Sequence, residues 1–164
     1  MNFDKAFEII VGHEGSFTDD PRDRGNWTTG VIGKGELKGT KYGIASHVYP
    51  NEDIKNLTLD RAKFLYKRDY WDAVEAESIP GAARLMVFDC AVNTGVGMAK
   101  KLLQRAVGTK DDGIIGPKTR AAISNTPDLA MKFAGFWLQY YTDLPGWPTY
   151  GKGWTRRVAN DLRM

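Results

Sequence analysis

The stretch between residues 16 and 39 most constrains the fold, because glycine, aspartate and threonine are frequent in it and a proline stands at position 21. Glycine and proline both interrupt helices, so this stretch cannot form one long helix. It predicts a loop that leads into short strands, with residues 28–32 and 40–45 as the strand candidates. Since helical periodicity follows on both sides, the chain is predicted to be α+β and mostly α-helical, with a small β-hairpin or sheet after the first helix.

Apolar residues recur at helical spacing through the rest of the chain. The first helix is predicted at residues 3–14, where Asn2 can cap the start and Gly15 can end it. Further helices are predicted at residues 59–71, 82–94, 98–107, 118–124, 128–143 and 154–162. Residues 82–94 are apolar on nearly every face, which predicts a central, buried helix.

The composition is that of a soluble globular protein with one core. The chain has 164 residues, of which 42% are hydrophobic and 26% charged, and it is too short for two large domains. Its net charge of +3 does not fit the concentrated basic face of a nucleic-acid binder and predicts only a weak attraction to anionic partners. No apolar stretch reaches transmembrane length, and the acidic N-terminus lacks the features of a signal peptide, so neither is expected.

Cys90 is the single cysteine, which rules out an intramolecular disulfide and fits synthesis in a reducing cytoplasm. It lies in an apolar run, residues 85–92, so a buried structural thiol is predicted rather than a nucleophile. The two histidines, His13 and His47, are too few for a histidine-rich metal site, and Phe17 stands where the helical zinc motif needs a histidine. No metal ion or other cofactor is therefore predicted.

Glu14 is the candidate catalytic acid. Phe3, Phe7, Ile10 and Glu14 follow one another at helical spacing, so a carboxyl group stands where an apolar residue would continue the stripe. Burial and the negative end of the helix dipole both disfavour the charged form, which raises the pKa of Glu14 toward the value that a general acid needs. A side chain that points into water at a frayed helix end is the alternative interpretation.

The loop after Glu14 carries three aspartates, Asp19, Asp20 and Asp23. Asp20 precedes Pro21 and is the one best suited to forming a turn. A helix-end acid that faces a carboxylate across a cleft is the arrangement that cleaves glycosidic bonds. One group protonates the leaving oxygen, and the other stabilises the cation, activates water or attacks. Asp23 is the candidate for the second group.

The segment Glu-Gly-Ser-Phe-Thr-Asp-Asp-Pro-Arg-Asp-Arg-Gly at 14–25, followed by Thr-Lys-Tyr-Gly-Ile at 40–44, resembles the signature of bacteriophage N-acetylmuramidases of glycoside hydrolase family 108. Tyr-Lys-Arg-Asp-Tyr-Trp at 66–71 is similar to the helix that follows in that family. The second half, from residue 87 through Asp-Gly-Ile-Ile-Gly-Pro-Lys-Thr at 112–119, resembles the predicted peptidoglycan-binding region that usually accompanies it. Together these motifs cover nearly the whole chain.

The resemblance implies a single lysozyme-like domain over residues 1–164, with a muramidase catalytic segment at 1–85 and a helical peptidoglycan-binding-like segment at 86–164. It implies an endolysin that hydrolyses the β-1,4 bond between N-acetylmuramic acid and N-acetylglucosamine. Such an enzyme would be made in the host cytoplasm and would reach the cell wall after membrane permeabilisation by a holin. Bacterial peptidoglycan is its expected partner, and a monomer is expected.

The resemblance also makes Glu14 the essential acid, by its position in the motif. The chain departs from the family by an insertion at residues 26–39, which leaves two candidates for a third catalytic position. Thr40 keeps the local sequence of the motif, whereas Thr29 keeps the spacing from Glu14 and Asp23 that phage lysozymes show. Thr40 is favoured, because a hairpin absorbs an insertion more easily than a strand motif is duplicated.

Tyr42, Trp71 and Asn93 are the candidate substrate-binding residues. The two aromatic rings could stack on sugars or pack in the core, and Asn93 lies four residues after Asp89 on one helical face, where polar groups need partners or a cleft. The basic C-terminal segment is either a docked helix or a surface with weak contact to anionic membrane or wall polymers. Two other functions remain open: a lytic transglycosylase on the same fold, and a non-catalytic peptidoglycan-binding protein.

Overall fold

The computed structural model describes residues 1–12 and 15–164, so His13 and the predicted acid Glu14 lie outside the described residues. The described residues form seven α-helices and one two-stranded antiparallel sheet. The elements are α1 (Phe3–Ile10), β1 (Thr40–Lys41), β2 (Ile44–Ala45), α2 (Leu59–Tyr66), α3 (Ala83–Thr94), α4 (Val96–Ala106), α5 (Pro117–Asn125), α6 (Leu129–Thr142) and α7 (Trp147–Asp161). The predicted α+β class, mostly helical with a small sheet after the first helix, is confirmed.

The described part of the N-terminal helix ends earlier than predicted. Helix α1 stops at Ile10, and Gly12 follows with a φ of 74°, which turns the chain out of the helix. The N–H groups of Val11 and Gly12 both donate to the Phe7 carbonyl oxygen, at 2.8 and 3.3 Å, and close the last turn. Gly12 is therefore the glycine that ends α1, and the part of the prediction that concerned residues 13 and 14 lies outside the described residues.

The predicted strands differ from the observed ones. Residues 28–32 form turns, and the prediction of a strand there was wrong because Gly33 and Gly35, with φ values of 77° and 79°, reverse the chain after only a few residues. Residues 40–45 were predicted as one strand, but they contain β1, a two-residue turn and β2.

Helix α7 begins at Trp147, well before the predicted start at residue 154. The glycines in its first half hid the helical pattern, because glycine is the poorest helix former after proline. A Cβ at Gly151 would lie 2.7 Å from the Trp147 ring, so the missing side chain lets the indole pack against its own helix. The helix predicted at residues 59–71 is α-helical only to Tyr66, and its last part, Lys67–Trp71, is a π-helical turn that ends at the predicted residue.

The chain divides into two compact units, residues 7–67 and residues 1–6 with 68–164. In the second of these, α3 is buried over most of its length and packs against α4, α6 and α7, as its apolar sequence predicts. Cys90 of α3 is fully buried, which raises the pKa of its thiol to about 12, so the predicted structural thiol is confirmed. The predicted division into a catalytic segment at 1–85 and a peptidoglycan-binding-like segment at 86–164 concerns function, and it stays a prediction.

A buried ionic cluster fixes α7 against α3. Arg157 donates to both carboxylate oxygens of Asp89, at 2.8 and 3.1 Å, and Asp89 and Asp161 are 1% and 6% exposed. Burial raises the pKa of Asp89, and burial together with the charge of Asp89 raises the pKa of Asp161 to about 8. Val158 is also fully buried, so the C-terminal segment is a docked helix, and Arg157 serves an internal ion pair.

Candidate active site

The β-hairpin carries two of the predicted site residues, Thr40 and Tyr42. Thr40 pairs with Ala45 across the two antiparallel strands. Tyr42 and Gly43 form the turn, with φ values of 50° and 72°, and two successive positive values are typical of a type I′ hairpin turn. A positive φ is uncommon for tyrosine, and the Tyr66 hydroxyl stabilises this turn by donating to the Tyr42 carbonyl oxygen at 3.2 Å.

Gly15, the residue after the predicted acid, lies against the ring of Tyr42. A Cβ at position 15 would stand between 2.1 and 2.5 Å from three atoms of that ring. Only glycine permits this approach, which gives the Glu-Gly pair of the motif a structural reason. The Tyr42 ring therefore contacts the residue that directly follows the candidate acid.

Asp23 begins a 3-10 turn, Arg24–Asn26. Its Oδ1 accepts a hydrogen bond from the N–H of Gly25 at 2.8 Å and so caps the turn. The side chain is exposed, and within the described residues its Oδ2 accepts no hydrogen bond. One oxygen is thus held by the backbone, while the other has no partner among the described residues.

Asn26 joins the aspartate loop to β1. It is fully buried, its Oδ1 accepts from the Thr40 hydroxyl at 2.7 Å, and its Nδ2 donates to the Asp20 carbonyl oxygen at 3.1 Å. Its backbone N–H donates to the Asp23 carbonyl oxygen at 3.1 Å, and its carbonyl oxygen accepts from two N–H groups just before β1. A single buried amide therefore holds together the segments that carry Asp23 and Thr40.

The insertion at residues 26–39 folds back on itself and returns to β1. The N–H of Thr28 donates to the Glu36 carbonyl oxygen at 2.9 Å, which closes the loop. The Thr29 hydroxyl donates to the Lys34 carbonyl oxygen at 2.7 Å inside this loop. Thr29 is therefore engaged in the turn of the insertion, whereas Thr40 is engaged with the segment that follows Asp23.

Asn26→Ala is expected to lower the free energy of unfolding by about 1–3 kcal/mol, because it leaves the Thr40 hydroxyl and the Asp20 carbonyl without their buried partner. Urea unfolding followed by circular dichroism measures this loss. Asn51→Ala, at an exposed position in the same unit, is the control and should stay within about 0.5 kcal/mol of the wild type. Equal stability of the two variants would show that the buried amide does not hold this loop.

Asp20 forms the turn that its place before Pro21 predicts. Arg22 donates to its carboxylate from the backbone N–H at 2.9 Å and from the guanidinium at 2.8 Å. These hydrogen bonds lower the pKa of Asp20 to about 2. Asp20 is therefore an ionised turn residue with an engaged carboxylate, which leaves Asp23 as the better candidate for chemistry.

Trp71 and Asn93 belong to the unit formed by residues 1–6 and 68–164. Trp71 is fully buried, with its ring edge-to-face against Phe3 and Phe88 at centroid distances of 5.6 and 5.3 Å. A ring so enclosed has no face open to a sugar, so the predicted stacking role of Trp71 is corrected to core packing. Asn93 is exposed and donates to the Asp89 carbonyl and carboxylate oxygens at 2.8 and 3.0 Å, and its substrate contact stays a prediction.

Within residues 1–12 and 15–164, no group of three or more His, Cys, Asp or Glu side chains is placed to hold a metal ion. His47 is exposed, and its Nδ1 lies 3.3 Å from the Gly25 carbonyl oxygen beside the Asp23 turn. Across the same described residues, none of the helices combines the length and apolar character needed to span a membrane.

Comparison with known proteins assigns the chain to a family. The family model for glycosyl hydrolase 108 matches residues 7–95, which is more than half of the chain. The chain belongs to glycosyl hydrolase family 108. Its structure is also similar to that of SagA from Brucella abortus, with 29% sequence identity and a TM-score of 0.78, and the match covers 97% of this chain and 90% of that chain. No curated protein matches the chain.

Family membership and the likeness to SagA establish the lysozyme-like α+β fold and indicate a glycosidase that degrades peptidoglycan. The matched region contains Asp23, Thr40 and Tyr42 together with the insertion. Membership of a glycosyl hydrolase family favours a catalytic protein over the non-catalytic wall-binding alternative.

Proposed function

We propose that the chain is an N-acetylmuramidase, which hydrolyses the β-1,4 bond between N-acetylmuramic acid and N-acetylglucosamine in peptidoglycan. The observation that carries the proposal is the buried Asn26 amide, which joins the Asp23 loop to Thr40 inside the region matched by the family. A glycosidase needs an acid for the leaving oxygen and a second group at the anomeric carbon. In the proposal Glu14 is the acid. Asp23 stabilises the charge at the anomeric carbon, and Thr40 orients the water that attacks it.

The hydrogen bonds at Thr40 and Asp23 favour a role with water. Thr40 gives its hydroxyl proton to Asn26, so its Oγ1 is left to accept a hydrogen bond from a water molecule. Oδ1 of Asp23 is fixed by Gly25, and its Oδ2 accepts no hydrogen bond within the described residues. Glu14 protonates the glycosidic oxygen as its bond to C1 breaks, and Asp23 stabilises the positive charge that develops there. Water oriented by Thr40 then supplies the new oxygen at C1, and its proton passes to a carboxylate.

We further propose that the enzyme is an endolysin of the bacteriophage type. In this role it is made in the host cytoplasm, reaches the wall after a holin has permeabilised the membrane, and lyses the host. The resemblance of its motif order to phage muramidases supports this role. Tyr42, whose ring lies at Gly15, and Asn93 are the proposed substrate contacts.

A lytic transglycosylase is the second candidate, and one observation favours it. Asp23 caps the turn that follows it, so its presence has a structural reason that requires no catalytic role. Enzymes of that class use the acid alone and close an anhydro ring with a hydroxyl of the sugar instead of adding water.

Digestion of peptidoglycan in ¹⁸O-labelled water separates these two reactions. A muramidase transfers one labelled oxygen to the new reducing end, whereas a transglycosylase releases unlabelled anhydro-muramyl ends that lack one water. Mass spectrometry of the fragments is expected to show labelled reducing ends. Products made up only of anhydro ends would overturn the muramidase proposal, and labelled ends on another sugar would overturn the proposed bond.

A further inference from the structure

The unit formed by residues 7–67 contains an open cavity of about 430 Å³ that has no part in the reaction proposed above. Phe17 and Asp19 line one side, Leu37 at the end of the insertion lines another, and residues 51–55 line a third. Ile54 is only 1% exposed and, with Phe17 and Leu37, gives the cavity an apolar floor. Residues 26–39, the predicted insertion, therefore contribute a wall through Leu37.

Two lysine side chains connect the walls of the cavity by hydrogen bonds. Lys38 Nζ donates to the Pro50 carbonyl oxygen at 2.7 Å, and Lys41 Nζ donates to the Lys55 carbonyl oxygen at 3.2 Å. Both hydrogen bonds join the segment at β1 to the loop at residues 50–55. The cavity is therefore preformed, which reduces the entropy that a ligand would lose by ordering it.

The cavity adjoins the candidate catalytic strand. Thr18, which lies between the lining residues Phe17 and Asp19, exchanges two backbone hydrogen bonds with Thr40, at 2.8 and 3.0 Å. The Phe17 ring covers Gly39, where a Cβ would be 2.6 Å from the ring. A substituent on a sugar bound at Thr40 therefore has the cavity next to it.

Polar groups of both charges are available around the apolar floor. The side chains of Asp19, Asn51 and Lys55 are exposed and form no hydrogen bond within the described residues. A carboxylate and an amide oxygen can accept from an ammonium group, and the Lys55 ammonium can donate to a carboxylate. The floor suits a chain of methylene groups. The chemistry that fits is an aliphatic chain that carries one free amine and one free carboxylate.

We propose that this cavity is a subsite for the diamino acid in the peptide stems of peptidoglycan, with Asp19 and Asn51 binding its amine and Lys55 its carboxylate. The glycan itself offers no free amine, because its amines are acetylated, so Asp19 and Asn51 find their partner only in the peptide. The inference rests on the proposed function, since peptidoglycan supplies the peptide. The subsite makes the enzyme prefer glycan strands that bear peptides over bare strands.

Steady-state kinetics on two substrates tests the subsite: glycan strands with their peptides, and the same strands after an amidase has removed them. The double variant Asp19→Asn with Lys55→Met is expected to raise KM about tenfold on the peptide-bearing strands and to leave kcat unchanged. A tenfold change corresponds to about 1.4 kcal/mol, which is in the range of exposed charge-assisted hydrogen bonds. On stripped strands the variant and the wild type are expected to have the same KM and the same kcat. Acetylation of the peptide amines should raise KM for the wild type and should matter less for the variant.

The matched control is Asp143→Asn with Lys152→Met, the same charge changes at exposed positions outside the cavity. If the double variant raises KM equally on both substrates, or raises it on neither, the proposed subsite is overturned. If the wild type cleaves neither substrate, the proposed function fails and the subsite is judged by calorimetry with isolated stem peptide. Binding by the wild type that weakens in the double variant then supports it, and equal binding or no binding overturns it.

Discussion

Glu14→Gln is expected to lower the rate of peptidoglycan hydrolysis by about 10²–10⁴-fold, the usual contribution of a general acid. Glutamine keeps the shape of the side chain and has no proton to give to the leaving oxygen, so the fold should be preserved. Clearing of a cell-wall suspension measures the rate, and circular dichroism with thermal unfolding checks the fold. Glu36→Gln, an exposed glutamate in the insertion, makes the same chemical change away from the motif and should leave the rate unchanged.

A fully active, folded Glu14→Gln enzyme would contradict the assignment of the acid. Asp23→Asn then separates the roles of the two carboxyl groups. Asparagine can still accept the hydrogen bond from Gly25, so the cap is kept while the negative charge is lost. We expect this variant to hydrolyse slowly, and an unimpaired rate would favour the transglycosylase, which does not need Asp23.

The parts of the site that the sequence predicts are those with a local pattern. Asp20 before Pro21 marks a turn, and the structure places it in one, with Arg22 bound to its carboxylate. The apolar faces of residues 82–94 marked a buried helix, and α3 is buried. In both cases the local structure is determined by residues that are close together in the chain, so a single sequence is enough to predict it.

The parts that the sequence does not predict depend on distant partners. Asn26 is a buried asparagine in a loop, and nothing in its neighbourhood shows that it binds Thr40, fourteen residues later along the chain. Trp71 was indistinguishable from a sugar-binding aromatic until its burial against Phe3 and Phe88 was known. The cavity beside Thr40 likewise needs three separate segments, and its lysine contacts to carbonyl oxygens leave no sequence pattern.

Asp89 and Asp161 are a second case of distant partners, and they make stability depend on pH. Asp161 Oδ2 is buried and has no hydrogen-bond partner among the described residues, and an unpaired buried oxygen favours the neutral, protonated carboxyl over the charged one. The side chain also interacts with Asp89, whose negative charge favours the same protonated form. Arg157 neutralises the remaining negative charge. Cys90 and Tyr141 face the same cluster, and burial raises the pKa of both, so neither titrates between pH 4 and pH 8.

The free energy of unfolding is therefore expected to fall as the pH rises from about 4 to about 8. Over this window the folded chain keeps the Asp161 proton, because its pKa is raised from 3.8 to about 8, whereas the unfolded chain has released it. The slope from one such proton is at most about 1.4 kcal/mol per pH unit. Asp20, whose pKa is lowered from 3.8 to about 2, acts below this window, whereas Glu75, whose pKa is lowered from 4.5, acts only at its acidic end.

Asp161→Asn tests this expectation, because asparagine is neutral at every pH and still carries a donor for Asp89. Urea unfolding from pH 4.5 to pH 8.5 should show a falling free energy for the wild type and a much flatter profile for the variant. Asp143→Asn, at an exposed position, should keep the wild-type profile. If the free energy of unfolding falls equally with pH in Asp161→Asn and in the wild type, the proton responsible is not on Asp161. If the profiles differ as expected, the docking of α7 on α3 depends on a single shared proton, and alkaline pH loosens the C-terminal helix.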